Sequence, residues 1–272
     1  ATVTIDDTPT ISELNAIAAK TSGVVTATLD AASLSDLGAL TTASTDAITI
    51  TVSDAGTSAV DATDLSALGG KTASTVTVSN AIAISGTPAE VTAALVTDAT
   101  KVEVTDATVT ITGAVNPTIS ELNAIADETE GVVTATLDAN SLSNLGTLST
   151  ASTDVITITV NDVAGNTVSA TDLSTLGGKT TGTVTVSNAV HITGTPEEVT
   201  DALVTDATKV DVTDATVTID DTPSISELND IAATTTGVVT ATLDANSLSN
   251  LGELTTASTD VITITVNDVA GN

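Results

Sequence analysis

The stretch "ISELNAIA" occupies residues 11–18, recurs unchanged at 119–126 and returns as "ISELNDIA" at 225–232. A chain that writes one sentence three times is built from repeats, and the repeat length decides the architecture. Around that stretch the long period is 106–108 residues: "ATVTIDDTP" begins at 1, "ATVTITGAV" at 107 and "ATVTIDDTP" again at 215. Residues 132–166 and 238–272 differ at two positions only, Thr147 against Glu253 and Ser149 against Thr255.

The long period divides again. Short runs of alternating apolar and polar residues end in Asp or Asn at Asp30, Asp54, Asn80, Asp106, Asp138, Asp162, Asn188, Asp214, Asp244 and Asp268. Their spacings are 24, 26, 26, 32, 24, 26, 26, 30 and 24 residues, which defines a coil of about 26 residues, four to each long repeat. Periods of ~20–50 residues are characteristic of solenoids. The long repeats are 1–106, 107–214 and a partial 215–272, read as one continuous solenoid. The chain begins at a repeat boundary, does not begin with Met and stops part-way through a repeat, so we expect a window on a longer array.

Each coil predicts a strand, a corner and a short helix. In the strands, Ile48, Ile50 and Val52 point one way and Thr49 and Thr51 the other. A second short extended piece follows in places, as at 81–85 and 107–111. Helix starts are marked by Thr10/Glu13, Ser33/Asp36, Asp61/Asp64 and Thr87/Glu90, with Pro88 and Pro196 at the first helical position. Apolar stripes at Ile11/Leu14/Ile17, Leu34/Leu37/Leu40 and Leu65/Leu68 would hold helices of eight to eleven residues on the strands, because so short a helix is not stable alone. The predicted fold is α/β: a right-handed β/α solenoid with a parallel sheet and short helices, stacked as in leucine-rich repeats, since β-crossover-β units are right-handed in ~98% of cases. The alternative is a pure parallel β-helix, in which the helices shrink to single turns.

Composition agrees with a thin, repeated core. The 272 residues contain no Phe, Tyr, Trp, Cys or Met. Val, Ile, Leu and Ala fill a layer two or three side chains deep better than one thick core. A formal charge of −30, from 35 acids against five lysines, argues against nucleic acid and anionic membrane as partners. No membrane-inserting segment is expected.

Chemistry is sparse. The one imidazole, His191, occupies the position of Ala83 in the first repeat, and a strand-surface histidine is the plainer reading. No glycine-rich phosphate loop, catalytic dyad or Cys/His cluster stands out, so an enzyme is not expected. Stacked corners would instead form a ladder of oxygen ligands: Asp30, Asp54, Asp106, Asp138, Asn161, Asp162, Asn166, Asp214, Asp244 and Asp268. Hard oxygens at close spacing suit Ca²⁺, the one cofactor that this pattern implies, although the glycine-rich nonapeptide of calcium-binding β-rolls and the EF-hand loop are both absent. "NDVAGN" at 161–166 and 267–272 is the most ligand-rich loop. Outward T-x-T pairs (Thr26/Thr28, Thr49/Thr51, Thr75/Thr77) resemble the threonine faces of ice-binding solenoids, interrupted here by Lys101/Glu103 and Lys209/Asp211. Those lysine–acid pairs are candidates for setting lateral register against a neighbouring array.

Strings such as "TISELNAIADETEGVV", "SATDLSTLGGKTTGTVTVSNAV" and "ITGTPEEVTDALV" resemble tandem repeats of very large secreted surface proteins of marine cyanobacteria and other bacteria, often grouped as adhesin-like or haemolysin-like. That resemblance implies an extracellular or cell-surface location. It also implies a filament, coat or stalk that associates with itself, with a calcium-rigidified adhesin extender as the alternative.

Overall fold

A computed structural model describes residues 1–267; Asp268 and the rest of the second "NDVAGN" loop lie outside the described residues. The chain is α/β and forms two compact units, residues 1–136 and 137–272. Their boundary falls inside the second long repeat, at neither 106/107 nor 214/215.

The first unit runs β1 (Val3–Thr4), α1 (Ile11–Ala18), β2 (Val25–Thr28), α2 (Leu34–Leu37), β3 (Ala47–Val52), β4 (Ala59–Asp61), α3 (Ala62–Gly69), β5 (Val76–Val78), β6 (Ala83–Gly86), α4 (Pro88–Leu95), β7 (Val102–Glu103), β8 (Thr108–Ile111), α5 (Ile119–Ala126) and β9 (Val133–Thr136). Its strands pair in parallel, β1-β2-β3-β5-β7 in one row and β4-β6-β8-β9 in another. The second unit runs α6 (Leu142–Leu145), β10 (Val155–Val160), β11 (Thr167–Ser169), α7 (Ala170–Gly177), β12 (Val184–Val186), β13 (His191–Gly194), α8 (Pro196–Leu203), β14 (Thr216–Ile219), α9 (Ile225–Ala232), β15 (Val239–Thr242), α10 (Leu248–Leu251) and β16 (Val261–Thr263). There β10 pairs with β12, and β11-β13-β14-β15-β16 form a second parallel row.

Coil length is less uniform than the corner spacing predicts. Val3 lies opposite Val25 and Thr26 opposite Ala47, steps of 22 and 21 residues. Ile50 lies opposite Val76 and Val76 opposite Val102, steps of 26. The longer coils hold the second extended piece as a strand of its own: β4, β6 and β8 pair with one another, Ala59 opposite Ala83 and Ala83 opposite Thr108. Strand β8, the "ATVTI" that opens the second long repeat, pairs with β6 on one side and β9 on the other. It therefore ends the two-strand coils and begins the one-strand coils, which is why the corner spacing stretches to 32 residues there.

Helices start where the capping residues place them. Thr10, Thr87, Thr118, Thr195 and Ser224 each accept the N3 amide while the N3 glutamate bonds back to the cap backbone. Asp61 departs from expectation: it stands at the N-cap of α3 but makes no side-chain cap bond. Its counterpart Ser169 does cap α7. The Leu34/Leu37/Leu40 segment also departs, because α2, α6 and α10 are single turns of four residues ending at Gly38, Gly146 and Gly252. Leu40 is still buried; it sits beyond the helix, its amide bonded to Leu37 O at 3.0 Å.

The cores are aliphatic. Leu14, Ile48, Ile50, Leu65 and Leu122 are fully buried in the first unit, and Ile156, Ile158, Leu173 and Leu228 in the second. Burying each such side chain contributes roughly 1.5–3 kcal/mol. Where α3 ends, the backbone touches the turn that follows α4: a Cβ on Gly69 would lie 2.0 Å from Thr100 O, and Gly177, at the end of α7, has the same relation to Thr208 O at 1.9 Å. Only glycine permits that approach.

Candidate functional site

The corner residues divide into two kinds. Asp54, Asn80 and Asp106 follow strands that pair in steps of 26, so they fall at matching positions after β3, β5 and β7. Asp30 does not join them: it lies between the Thr28↔Thr49 and Ala32↔Val52 pairings, beside the middle of β3. Asp54 is half-buried, and its Oδ2 accepts the N–H of Leu34 at 2.6 Å, at the start of α2. Asn80 donates from Nδ2 to Asp54 O at 2.6 Å. The second unit repeats the arrangement: Asp162 Oδ2 accepts Leu142 N–H at 2.6 Å, and Asn188 Nδ2 donates to Asp162 O at 2.8 Å. These carboxylates and amides satisfy backbone groups of adjacent coils. Asp30, Asp106, Asp138, Asn161, Asn166, Asp214 and Asp244 are exposed. Among the described residues no three His, Asp or Glu side chains converge as a metal-holding group.

A groove recurs where the one-turn helices leave room. In the first unit, Leu34, Asp54, Asp61, Asp64 and Lys71 line a space of about 490 Å³ between α2 and α3. In the second, Leu142, Asp162, Ser169, Asp172 and Lys179 line one of about 410 Å³. Lys179 Nζ donates to Gly146 O at 2.8 Å and also to Leu148 O, spanning the groove to the neighbouring turn.

The side chains that tie the coils together were not among the sequence-based candidates. Asp46 is 5% exposed and Asp154 2%. Asp46 Oδ1 accepts Val25 N–H and its Oδ2 accepts Ala43 N–H, both at 2.8 Å. Asp260 repeats the pair with Val239 and Ala257 at 2.9 and 2.8 Å, and Asp154 holds Ala151 N–H at 2.9 Å. Thr72 is a second node: its hydroxyl accepts from Ile48 N and donates to Ile48 O, at 2.8 and 2.7 Å. Thr180 repeats this with Ile156 N at 2.7 Å and Ile156 O at 3.1 Å. The signal for both is on the page of the sequence. "ASTD" is unchanged at 43–46, 151–154 and 257–260, and Thr-x-Gly/Ser follows the helices at 72–74, 129–131, 180–182 and 235–237.

Asn15 explains the conserved letter of the opening stretch. It donates from Nδ2 to Ala39 O and accepts Thr41 N–H at Oδ1, both at 2.8 Å, so one amide joins α1 to the next coil. Asn229 does the same with Glu253 O and Thr255 N–H at 2.9 and 2.8 Å.

His191 sits on β13 with Nδ1 2.9 Å from Thr216 Oγ1 on β14, a cross-strand pair. Outward threonines align in rows of two or three: Thr4↔Thr26 ends at Ala47, and Thr51↔Thr77 ends at Glu103. Thr193↔Thr218↔Thr240 ends at Val261. Lys101 Nζ forms an ion pair with Glu128 at 2.8 Å inside the first unit, rather than presenting a free charge to a neighbour. The residue equivalent to Glu128 in the next repeat is Thr234, so this pair is not a property of the repeat.

No helix among the described residues is long and apolar enough to cross a membrane. No protein-family model matches the sequence, and neither a curated protein nor a solved structure is significantly similar to it.

Proposed function

We propose that this chain is an extracellular structural repeat protein whose coils stack as a right-handed β/α solenoid and whose work is done by length, charge and self-association. One observation carries the reading. Polar side chains repeated between the long repeats, Asn15/Asn229, Asp46/Asp260 and Thr72/Thr180, are spent on backbone groups of adjacent coils. Repeats that bury their faces and satisfy their polar groups against the next repeat form quasi-one-dimensional arrays. The charge of −30 keeps such an array soluble and repels unspecific contact. The resemblance to giant secreted surface proteins supports the extracellular setting.

A calcium-rigidified adhesin extender is the second reading, favoured by the recurring groove lined by carboxylates, Asp54, Asp61 and Asp64 in the first unit and Asp162 and Asp172 in the second. Negative-stain electron microscopy of the protein, in chelator and again in millimolar Ca²⁺, tests both. Ordered filaments, sheets or tubes in either buffer support the structural polymer. Short separate rods in both buffers overturn it, and rods that straighten only with Ca²⁺ favour the extender.

A further inference from the structure

The segment "ANSLSNL" occurs at 139–145 and again at 245–251, where the first repeat has "AASLSDL" at 31–37. Both asparagines of the later copies are new relative to the first, and the structure brings them together. Asn140 Oδ1 accepts two N–H groups: the main-chain amide of Ser141 at 3.0 Å and the side-chain Nδ2 of Asn144 at 2.8 Å. Asn246 Oδ1 repeats this with Ser247 N at 2.9 Å and Asn250 Nδ2 at 2.8 Å.

That geometry places a nucleophile beside an electrophile. Cγ lies one carbonyl bond, about 1.2 Å, from Oδ1, so the Ser141 nitrogen stands next to the Asn140 amide carbon. Ser141 is the N-cap of α6, and its amide is one of those a helix start leaves without a helical partner. The amide after Asn144 is placed differently: Leu145 N–H donates to Ser141 O at 3.0 Å and is held inside the helix. Asn140 and Ser141 are both partly exposed, so water reaches the pair. Asn144 Nδ2 meanwhile points at the oxygen on which charge would develop, the placement that stabilises an oxyanion in acyl transfer.

We propose that Asn140 and Asn246 are sites of self-catalysed deamidation, with water as the co-reactant. Ser141 N loses its proton to solvent hydroxide and attacks Asn140 Cγ. The carbonyl electron pair moves to Oδ1, where Asn144 Nδ2 donates to it. As that pair returns, the Cγ–Nδ2 bond of Asn140 breaks, and the nitrogen takes a proton from water and leaves as ammonia. Water then opens the five-membered imide at either carbonyl, giving aspartate or isoaspartate. Nothing is oxidised or reduced; the sum is one water consumed and one ammonia released.

The site lies on an inter-coil joint. Asn140 N–H donates to Thr159 O at 3.0 Å, and Asn140 O accepts Asn161 N–H at 2.9 Å. Isoaspartate would turn that accepting carbonyl into a side-chain carboxylate and lengthen the main chain by one carbon just before α6. Each conversion therefore adds a negative charge and loosens one joint, in the later repeats and not in the first, where Ala32 and Asp36 stand instead.

The test is peptide-mapped mass spectrometry of the whole chain aged in mildly alkaline buffer, with isoaspartyl methyltransferase labelling to mark the isoaspartate. A synthetic peptide of residues 136–148 is the unfolded reference. Asn140 is expected to convert about tenfold faster in the folded chain than in the peptide, because the reacting atoms are already placed. Asn144→Ala should slow it by about tenfold through loss of the oxyanion donor. Asn144→Asp should slow it too, and it installs the residue that the first repeat already folds with, Asp36; unchanged circular dichroism separates this from unfolding. Conversion in the folded chain no faster than in the peptide overturns the proposal. So does an unchanged rate in both Asn144 variants.

Discussion

Asp46 and Val25 lie 21 residues apart in sequence, yet the Asp46 carboxylate holds the Val25 N–H at 2.8 Å inside the first unit. That oxygen takes the place of a strand partner at the very start of β2. The other oxygen closes the turn at Ala43, so one buried side chain sets both the turn and the register of the coil that precedes it. Asp46→Ala leaves these amides without their partner and costs about 2–4 kcal/mol. Asp46→Asn should cost nearly as much, because an amide NH₂ cannot accept from the second N–H. Urea unfolding, with hydrogen exchange at Val25 as the local probe, measures both; wild-type stability in either variant would refute the role.

Adjacent glycines at the C-terminal end of α3, Gly69 in its last turn and Gly70 at the cap, give opposite predictions. A Cβ on Gly69 would meet Thr100 O at 2.0 Å, while one on Gly70 finds its nearest neighbours, Ala67 O and Ser66 O, at 3.6 Å. Gly69→Ala should therefore destabilise by about 1–3 kcal/mol or more. Gly70→Ala, in an ordinary right-handed conformation, should be neutral or stabilise by up to about 1 kcal/mol. Paired thermal melts distinguish close packing from a general need for glycine.

Thr57 has φ +68°, a left-handed conformation that is strained for a β-branched residue, and its counterpart in the second repeat is Gly165 at φ +80°. Thr57 N–H still bonds Ala81 O at 2.6 Å, as Gly165 N–H bonds Ala189 O at 2.8 Å. Thr57→Gly should stabilise by about 0.5–1 kcal/mol, the relief of strain exceeding glycine's entropy cost. Gly165→Thr should destabilise by about 1 kcal/mol. A lower melting temperature for Thr57→Gly would refute the strain.

Acid should loosen the helix starts. The backbone N–H of Thr10, Thr87, Thr118 and Thr195 holds Glu13, Glu90, Glu121 and Glu198 below the usual carboxylate value of 4.5, with help from neighbouring hydroxyls. For Glu227 the Ser224 hydroxyl is the larger cause. A carboxylate whose pKa is lowered by folding stabilises the fold above its unfolded value and loses that contribution as pH falls through the folded one. Helicity by circular dichroism should therefore decline as pH drops below 4.5. Glu90→Gln with Glu198→Gln keeps the cap acceptor and should flatten that decline; an unchanged pH profile would refute the assignment.

Much of the fold was legible in single residues. Thr10 with Glu13, and Thr87 with Pro88 and Glu90, mark helix starts because a cap is a local matter of three or four residues. The alternation around Ile48, Ile50 and Val52 marks a strand for the same reason. The candidate site was less legible. Asp54 sits at a corner, as its position after a strand implies, but its partner Leu34 N–H belongs to the previous coil. Asp46 stands before a strand, where nothing local distinguishes it from a solvated turn residue.

The sequence by itself determined the repeat, the strand–corner–helix order and a core of small aliphatic side chains, because each follows from periodicity and short-range chemistry. The tertiary structure alone decided the step of each coil, the pairing of β8 with both β6 and β9, and the burial of Asp46 and Thr72. Those outcomes depend on which backbone edge lies alongside, and a side chain's own letters do not carry the identity of its neighbour.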